Sequence, residues 1–112
     1  MEDELVRLGR VARIVTTGRQ TGLPRPVAVG FVEEPDGSLL VAATDEVTAW
    51  GLNLLDDPAC VVEFGERRFA AVAEPLAGGD HARAVGALIL RYGTPSEGLG
   101  RGPSFRLRPA DG

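Results

Sequence analysis

Turn signals divide this chain into short runs, and their spacing constrains its fold more than any other feature. Gly18–Pro24, Glu34-Pro35-Asp36-Gly37, Asp56-Asp57-Pro58 and Gly65-Glu66 each interrupt a segment of β-branched or apolar residues. Proline presets φ and Asp-Gly favours hairpin geometry, so such sites reverse the chain. The intervening runs predict strands at Val11–Thr17, Arg25–Glu33, Leu39–Thr44, Cys60–Phe64, Arg68–Pro75 and Ser104–Arg108. Leu39–Thr44 is expected to pair with the strand before it. In the final run Phe105 and Leu107 alternate with Arg106 and Arg108, the period of a half-buried strand.

Three segments carry a helical pattern instead. Glu2–Gly9 has acids in its first turn and Leu5 and Leu8 on one side. Thr48–Leu55 places Trp50, Leu54 and Leu55 on one face, with Thr44-Asp45 as its expected cap and Asp56-Asp57-Pro58 as its stop. Asp80–Tyr92 is amphipathic, Ala84, Leu88 and Tyr92 following one another at helical spacing. Gly93–Pro103 is glycine-rich and reads as a loop. Six short strands joined by hairpins, with too few crossover helices for repeated βαβ units, predict a mainly β, α+β chain built on a small antiparallel barrel. At 112 residues it is expected to be one domain, a short helix at 2–9 leading into a barrel over 11–109.

Several functions are excluded early. A hydrophobic content of 44% argues against disorder, and no apolar run approaches the roughly 20 residues of a membrane helix. The acidic start Met1-Glu2-Asp3-Glu4 is the opposite of a secretory or transit peptide, so a cytoplasmic location is expected. A net charge of -4 speaks against nucleic-acid binding. The single Cys60 lies in the apolar run Ala59–Val62 and is expected to be a buried structural thiol. With one histidine and one cysteine there is no metal-ligand set. His81 is expected to face solvent in the first turn of its helix, with no serine singled out as a partner, and no catalytic side chain is predicted.

Charge is distributed unevenly. Five arginines (Arg7, Arg10, Arg13, Arg19, Arg25) stand against three acids up to Arg25, whereas Pro26 to Glu66 holds nine acids and no arginine. An anion site therefore draws on the first quarter of the chain. The turn between the first two strands supplies glycines, which leave backbone N–H groups uncovered, and arginines, whose planar donors suit phosphate or carboxylate. The residues alone leave two readings open: a grip for an anion, or a hairpin whose arginines keep its edge soluble. Trp50, near Leu52, Leu54 and Leu55, can likewise wall a slot for a ring or pack in a core.

Thr16 to Arg25, TTGRQTGLPR in one-letter code, resembles the TTGRxSGxPR signature of the deazaflavin (F420)-dependent nitroreductase family. Leu40–Thr44 is similar to a family strand that ends in a small polar residue. Trp50 to Leu54 and Asp57 to Glu63 resemble its W-x-x-NL-x-x-(N/D)P-x-V-x-V block, and Ser104–Pro109 resembles its closing strand. The resemblance spans Arg13 to Pro109. It implies a split β-barrel of the flavin-reductase-like kind, alongside the pyridoxamine-phosphate-oxidase-like proteins. It also implies that reduced F420 gives hydride to a small electron-poor substrate such as a nitro compound, quinone or enone.

By position, the resemblance makes Arg19, Thr21 and Arg25 contacts for the coenzyme's anionic tail, with the backbone N–H groups of Gly18 and Gly22 assisting. Ala43, Thr44 and Trp50 would line the ring or its ribityl chain, and Tyr92 would stand at the substrate wall. Related barrels hold their cofactor at a two-fold interface, so a homodimer is expected. Two alternatives use the same barrel: an oxidoreductase that takes FMN, and a non-catalytic binding protein that has lost its cofactor. The feature favouring the last is Asp45-Glu46, two acids expected to lie beside an anionic coenzyme.

Overall fold

Seven strands join one sheet with every neighbouring pair antiparallel, in a computed structural model that describes residues 2–93 and 100–110. Helix α1 (Glu2–Arg7) precedes the hairpin of β1 (Ala12–Thr17) and β2 (Pro24–Val29). A second hairpin pairs β3 (Val32–Glu33) with β4 (Leu39–Ala42), and α2 (Ala49–Asp56) leads to a third, β5 (Ala59–Phe64) with β6 (Arg67–Pro75). Helix α3 (Gly78–Tyr92) and strand β7 (Ser104–Pro109) follow. Of the loop expected at Gly93–Pro103, residues 94–99 lie outside the described residues.

The strand order β2-β1-β5-β6-β7-β4-β3 puts β2 and β3 at opposite edges, although only Gly30 and Phe31 separate them in the chain. Two residues bridge at most about 10 Å of extended backbone. The edges must therefore approach each other at that corner, and the sheet curls into a half-closed barrel. This overturns the single strand expected at Arg25–Glu33, and it raises the strand count from six to seven. At the corner, the Phe31 ring enters the core, 2% exposed and 4.7 Å from Phe64. Its backbone N–H donates to the Tyr92 hydroxyl at 2.9 Å, and its carbonyl accepts from Arg91 at 2.8 Å. The last turn of α3 thus satisfies the groups that a continuous strand would have bonded.

The barrel interior follows the two-residue alternation. Ala12, Ile14 and Thr16 of β1 point inward, as do Cys60, Val62 and Phe64 of β5. Leu107 lies between Leu39 and Ala73, and Phe105 lies opposite Val41. Fully burying each larger side chain contributes on the order of 1.5–3 kcal/mol. Helix α3 buries Ala84 and Leu88 and packs against β4, where Leu40 is also buried. The bare outer face lies at the other end of the sheet.

Smaller departures have local causes. Strand β4 ends at Ala42, so Thr44 lies in the exposed loop beyond it. The cap of α2 is Thr48, not Thr44-Asp45; the Asp45 carboxylate instead accepts from Val47 N–H and Thr48 Oγ1, each at 2.9 Å, in a turn before the helix. His81 is half-buried rather than free in solvent. Its Nε2 donates to the Gly100 carbonyl at 3.0 Å, which leaves Nδ1 to accept the buried Ser104 hydroxyl at 2.6 Å. That pairing ties α3 to β7.

Candidate functional site

The β1–β2 turn folds back on itself through short contacts. Gly18 N–H donates to the Leu23 carbonyl at 2.9 Å, and Gly22 N–H donates to Gly18 at 2.8 Å. The two glycines serve different needs. Gly22 has φ +72° with open space around it, a left-handed conformation that side chains resist. Gly18 is needed for space, because a Cβ there would lie 2.9 Å from Thr21 Oγ1 and 3.3 Å from the Leu23 carbonyl. Both N–H groups are thus spent inside the turn, which corrects the expectation that they assist an anion.

Beside this turn lies the N-terminus of α2, and a cleft of about 480 Å³ opens between them. The sequence-predicted residues Gly18, Arg19, Thr21, Arg25 and Trp50 all line it. Pro26, Val27 and Trp50 give it an apolar wall, while Gln20, Thr48, Ala49 and Asn53 complete its lining. Trp50 serves two surroundings: it is 9% exposed, packs 6.1 Å from Phe105 in the core, and turns its remaining surface to the cleft. Thr48 makes no side-chain bond to the helix it caps, so the first-turn N–H groups of α2 keep their positive character toward the cleft.

Other predicted residues fall elsewhere. Ala43 is buried, its Cβ facing Gly51 of α2, and neither it nor the exposed Thr44 lines the cleft. Gly22 shapes the turn from outside the lining. Tyr92 is absent from the cleft too: its hydroxyl accepts from Phe31 N–H and donates to the Arg10 carbonyl at 2.8 Å, and its ring covers Gly30 so closely that a Cβ there would meet it at 3.0 Å. It sits at the barrel corner, where it clasps Gly30 and Phe31. Asp45 and Glu46 are exposed and do not line the cleft.

Most of the ion pairs lie away from the cleft. Arg13 pairs with Asp3 and Glu63, Arg67 with Glu33, Arg83 with Glu34, and Arg106 and Arg108 with Glu74. Those last bonds hold the Glu74 carboxyl below the usual range, the hydrogen bond from Arg108 most of all. Among the described residues no carboxylate pairs with Arg19 or Arg25. A chain of net charge -4 therefore keeps two uncompensated cations at one cleft. The lining holds no acid, histidine or cysteine, so it offers no general acid, base or nucleophile; what it offers is binding. Cys60 is inert, burial with help from the Asp57 charge pushing its thiol up to about 11.

Asn53 is a cleft residue that the sequence expectation left without a role. It is 4% exposed, and its amide reaches both the turn and β1. A signal was present in its spacing, since Ala49, Trp50 and Asn53 share one helix face.

The F420H(2)-dependent quinone reductase family matches residues 5–94. The sequence matches none of the curated proteins. Among solved structures, the fold is similar to that of Atu2129 from Agrobacterium tumefaciens, a protein of unknown function, at 21% identity and TM-score 0.77, covering 94% of this chain and 50% of that one. The chain thus spans about half the length of Atu2129. It is also similar to an F420-H2 dependent reductase (FDR-A), at 21% identity and TM-score 0.73 over 88% of this chain and 94% of the other. A structure described as a domain-swapped dimer is 18% identical with TM-score 0.73, covering 95% and 92% of the two chains. The family match covers the Thr16–Arg25 turn, Leu40–Thr44 and the Trp50–Glu63 segment, and ends before Ser104–Pro109. The chain belongs to the F420H(2)-dependent quinone reductase family.

Proposed function

We propose that this protein is an oxidoreductase whose cleft holds reduced F420 by its anionic tail, placing the coenzyme to reduce a small quinone or a similar electron-poor acceptor. The observation that carries the reading is the pair Arg19 and Arg25, both at the cleft and both without a carboxylate partner among the described residues. The coenzyme, when bound, supplies the hydride. The chain's own residues bind and orient: Arg19, Arg25 and Thr21 face the phosphate and carboxylates, and Pro26, Val27 and Trp50 offer apolar surface to the less polar part. Asp45, occupied in its own turn and outside the lining, does not oppose an anion from within the cleft.

The reading extends to assembly, with residues 1–112 acting as one domain in a homodimer. Support comes from the outer face of β2-β1-β5-β6, where Val15 lies opposite Pro26 and Val61, Val61 opposite Ala70, and Ala59 opposite Val72. This row carries no charge, and Pro26 belongs to it and to the cleft alike. A second copy seated there would cover the apolar row and enclose one side of the site. No helix of the described residues is long and apolar enough to cross a membrane, and a cytoplasmic location accords with a lone, reduced cysteine.

Titrating the protein with F420 and with FMN, each followed by its fluorescence, tests the reading. Tight binding of F420 with weak binding of FMN is expected. Absence of F420 binding at roughly tens of micromolar overturns it.

A further inference from the structure

One arginine of the cleft, Arg19, hangs from a buried amide. Asn53 sits on α2 one turn after Ala49, 4% exposed. Arginine carries only donors, so the atom that faces Arg19 is the amide oxygen. Asn53 Oδ1 accepts from the Arg19 guanidinium at 2.8 Å and from the Arg19 backbone N–H at 3.3 Å. The same guanidinium nitrogen also donates to the Ala49 carbonyl at 3.4 Å. With Oδ1 so placed, Nδ2 is left to donate to Thr16 Oγ1 at 3.1 Å. Thr16 is itself buried, and its hydroxyl proton goes to the Arg25 carbonyl at 3.4 Å. Every donor in this relay has one direction available, so its polarity is fixed by chemistry and not by choice of rotamer.

We infer that Asn53 is the positioning residue of the cleft. It holds the Arg19 guanidinium directly, with its Nδ2 anchored on Thr16 of β1, so that this cation is in place before an anion arrives. A long arginine side chain otherwise samples many rotamers, and binding must then remove that freedom. A residue serving only to pack α2 against β1 would need no polar atoms there. The inference rests on the F420 reading of the cleft for its ligand, and on the bonds around Asn53 for its residue.

The test titrates F420 into the wild type, Asn53→Ala, Arg19→Met and the double variant, with a thermal melt of each to establish that it is folded. Asn53→Ala is expected to weaken F420 binding about ten-fold, since the guanidinium must then be ordered by the ligand. In the Arg19→Met background the same substitution is expected to cost little, because Asn53 acts through Arg19. Asn53→Asp keeps the shape and the acceptor but places a carboxylate against Arg19. Its binding of F420 is expected to fall and to depend less on salt, one cation having been neutralised. This variant carries the test if Asn53→Ala does not fold. An equal loss from Asn53→Ala in both backgrounds, or unchanged binding by Asn53→Asp, overturns the inference while leaving the F420 reading standing. Failure of the wild type to bind F420 overturns that reading and the inference with it.

Discussion

Replacing each cleft arginine by methionine, which keeps the apolar stem and removes the charge, separates binding from stability. Arg25 is exposed and makes no side-chain hydrogen bond or ion pair among the described residues. Arg25→Met is therefore expected to shift unfolding free energy by less than about 0.5 kcal/mol. Its guanidinium would otherwise make charge-assisted bonds to an anion, worth about 1.5–3 kcal/mol each. Solvent at an exposed site favours the lower end, and at about 1.4 kcal/mol per factor of ten the F420 dissociation constant should rise about ten-fold. Arg19→Met differs. It removes the 2.8 Å bond to Asn53 Oδ1 and the 3.4 Å bond to Ala49, leaving the buried amide oxygen with only the 3.3 Å backbone donor. A partly satisfied buried acceptor costs about 1 kcal/mol, equivalent in a chain of this size to a melting temperature lowered by about 4 °C. Fluorescence titration and thermal melts on the same preparations read both quantities. If Arg25→Met binds F420 within two-fold of wild type, or destabilises as much as Arg19→Met, the assignment of one arginine to the ligand alone and the other to ligand and fold is wrong.

Four further outcomes follow from particular contacts. Gly22→Ala should cost about 1 kcal/mol from its left-handed φ, and Gly22→Asn less, because asparagine tolerates that region; equal costs in a denaturant titration would contradict this. Cys60 has a folded pKa raised from 9.0 to about 11, so the unfolded chain loses its thiol proton first. Stability is thus full below pH 9 and falls as pH rises toward 11, and Cys60→Val should lessen that fall in melts taken across the window. Tyr92→Phe removes the partner of Phe31 N–H and Arg10 carbonyl, and is expected to lower stability by about 1–2 kcal/mol while F420 affinity holds; a change in affinity without a change in stability would return Tyr92 to the site. Val61→Arg, on the uncharged outer row, should convert the dimer to a monomer in light scattering, and a wild type that is already monomeric would remove the dimer from the proposal.

The cleft was legible to different depths at different residues. Gly18, Arg19, Thr21, Arg25 and Trp50 come together as the turn motif and the tryptophan block imply, since a tight turn and a short helix have few ways to present their side chains. Ala43 and Tyr92 do not join them. Their roles depend on which elements pack beside them, namely α2 over Ala43 and the β2–β3 corner over Tyr92. His81 shows the same limit, since its partner Ser104 lies 23 residues away on strand β7.

Local patterns were enough for five of the strands, the three helices, the barrel class and the position of a cationic turn. These follow from local chemistry: proline and glycine set φ, alternation sets a strand's faces, and arginine cannot lose its charge. What that turn faces depends on long-range packing. The run Arg25–Glu33 reads as one strand because nothing local forbids it; it breaks at Gly30-Phe31 because the sheet must cross from one edge to the other. Arg19 and Arg25 share one cleft because the β1–β2 turn faces the start of α2. Asn53 acquired its role because α2 brings its amide within hydrogen-bonding distance of two residues more than thirty positions away. Such partnerships are set by long-range packing, which no local pattern encodes.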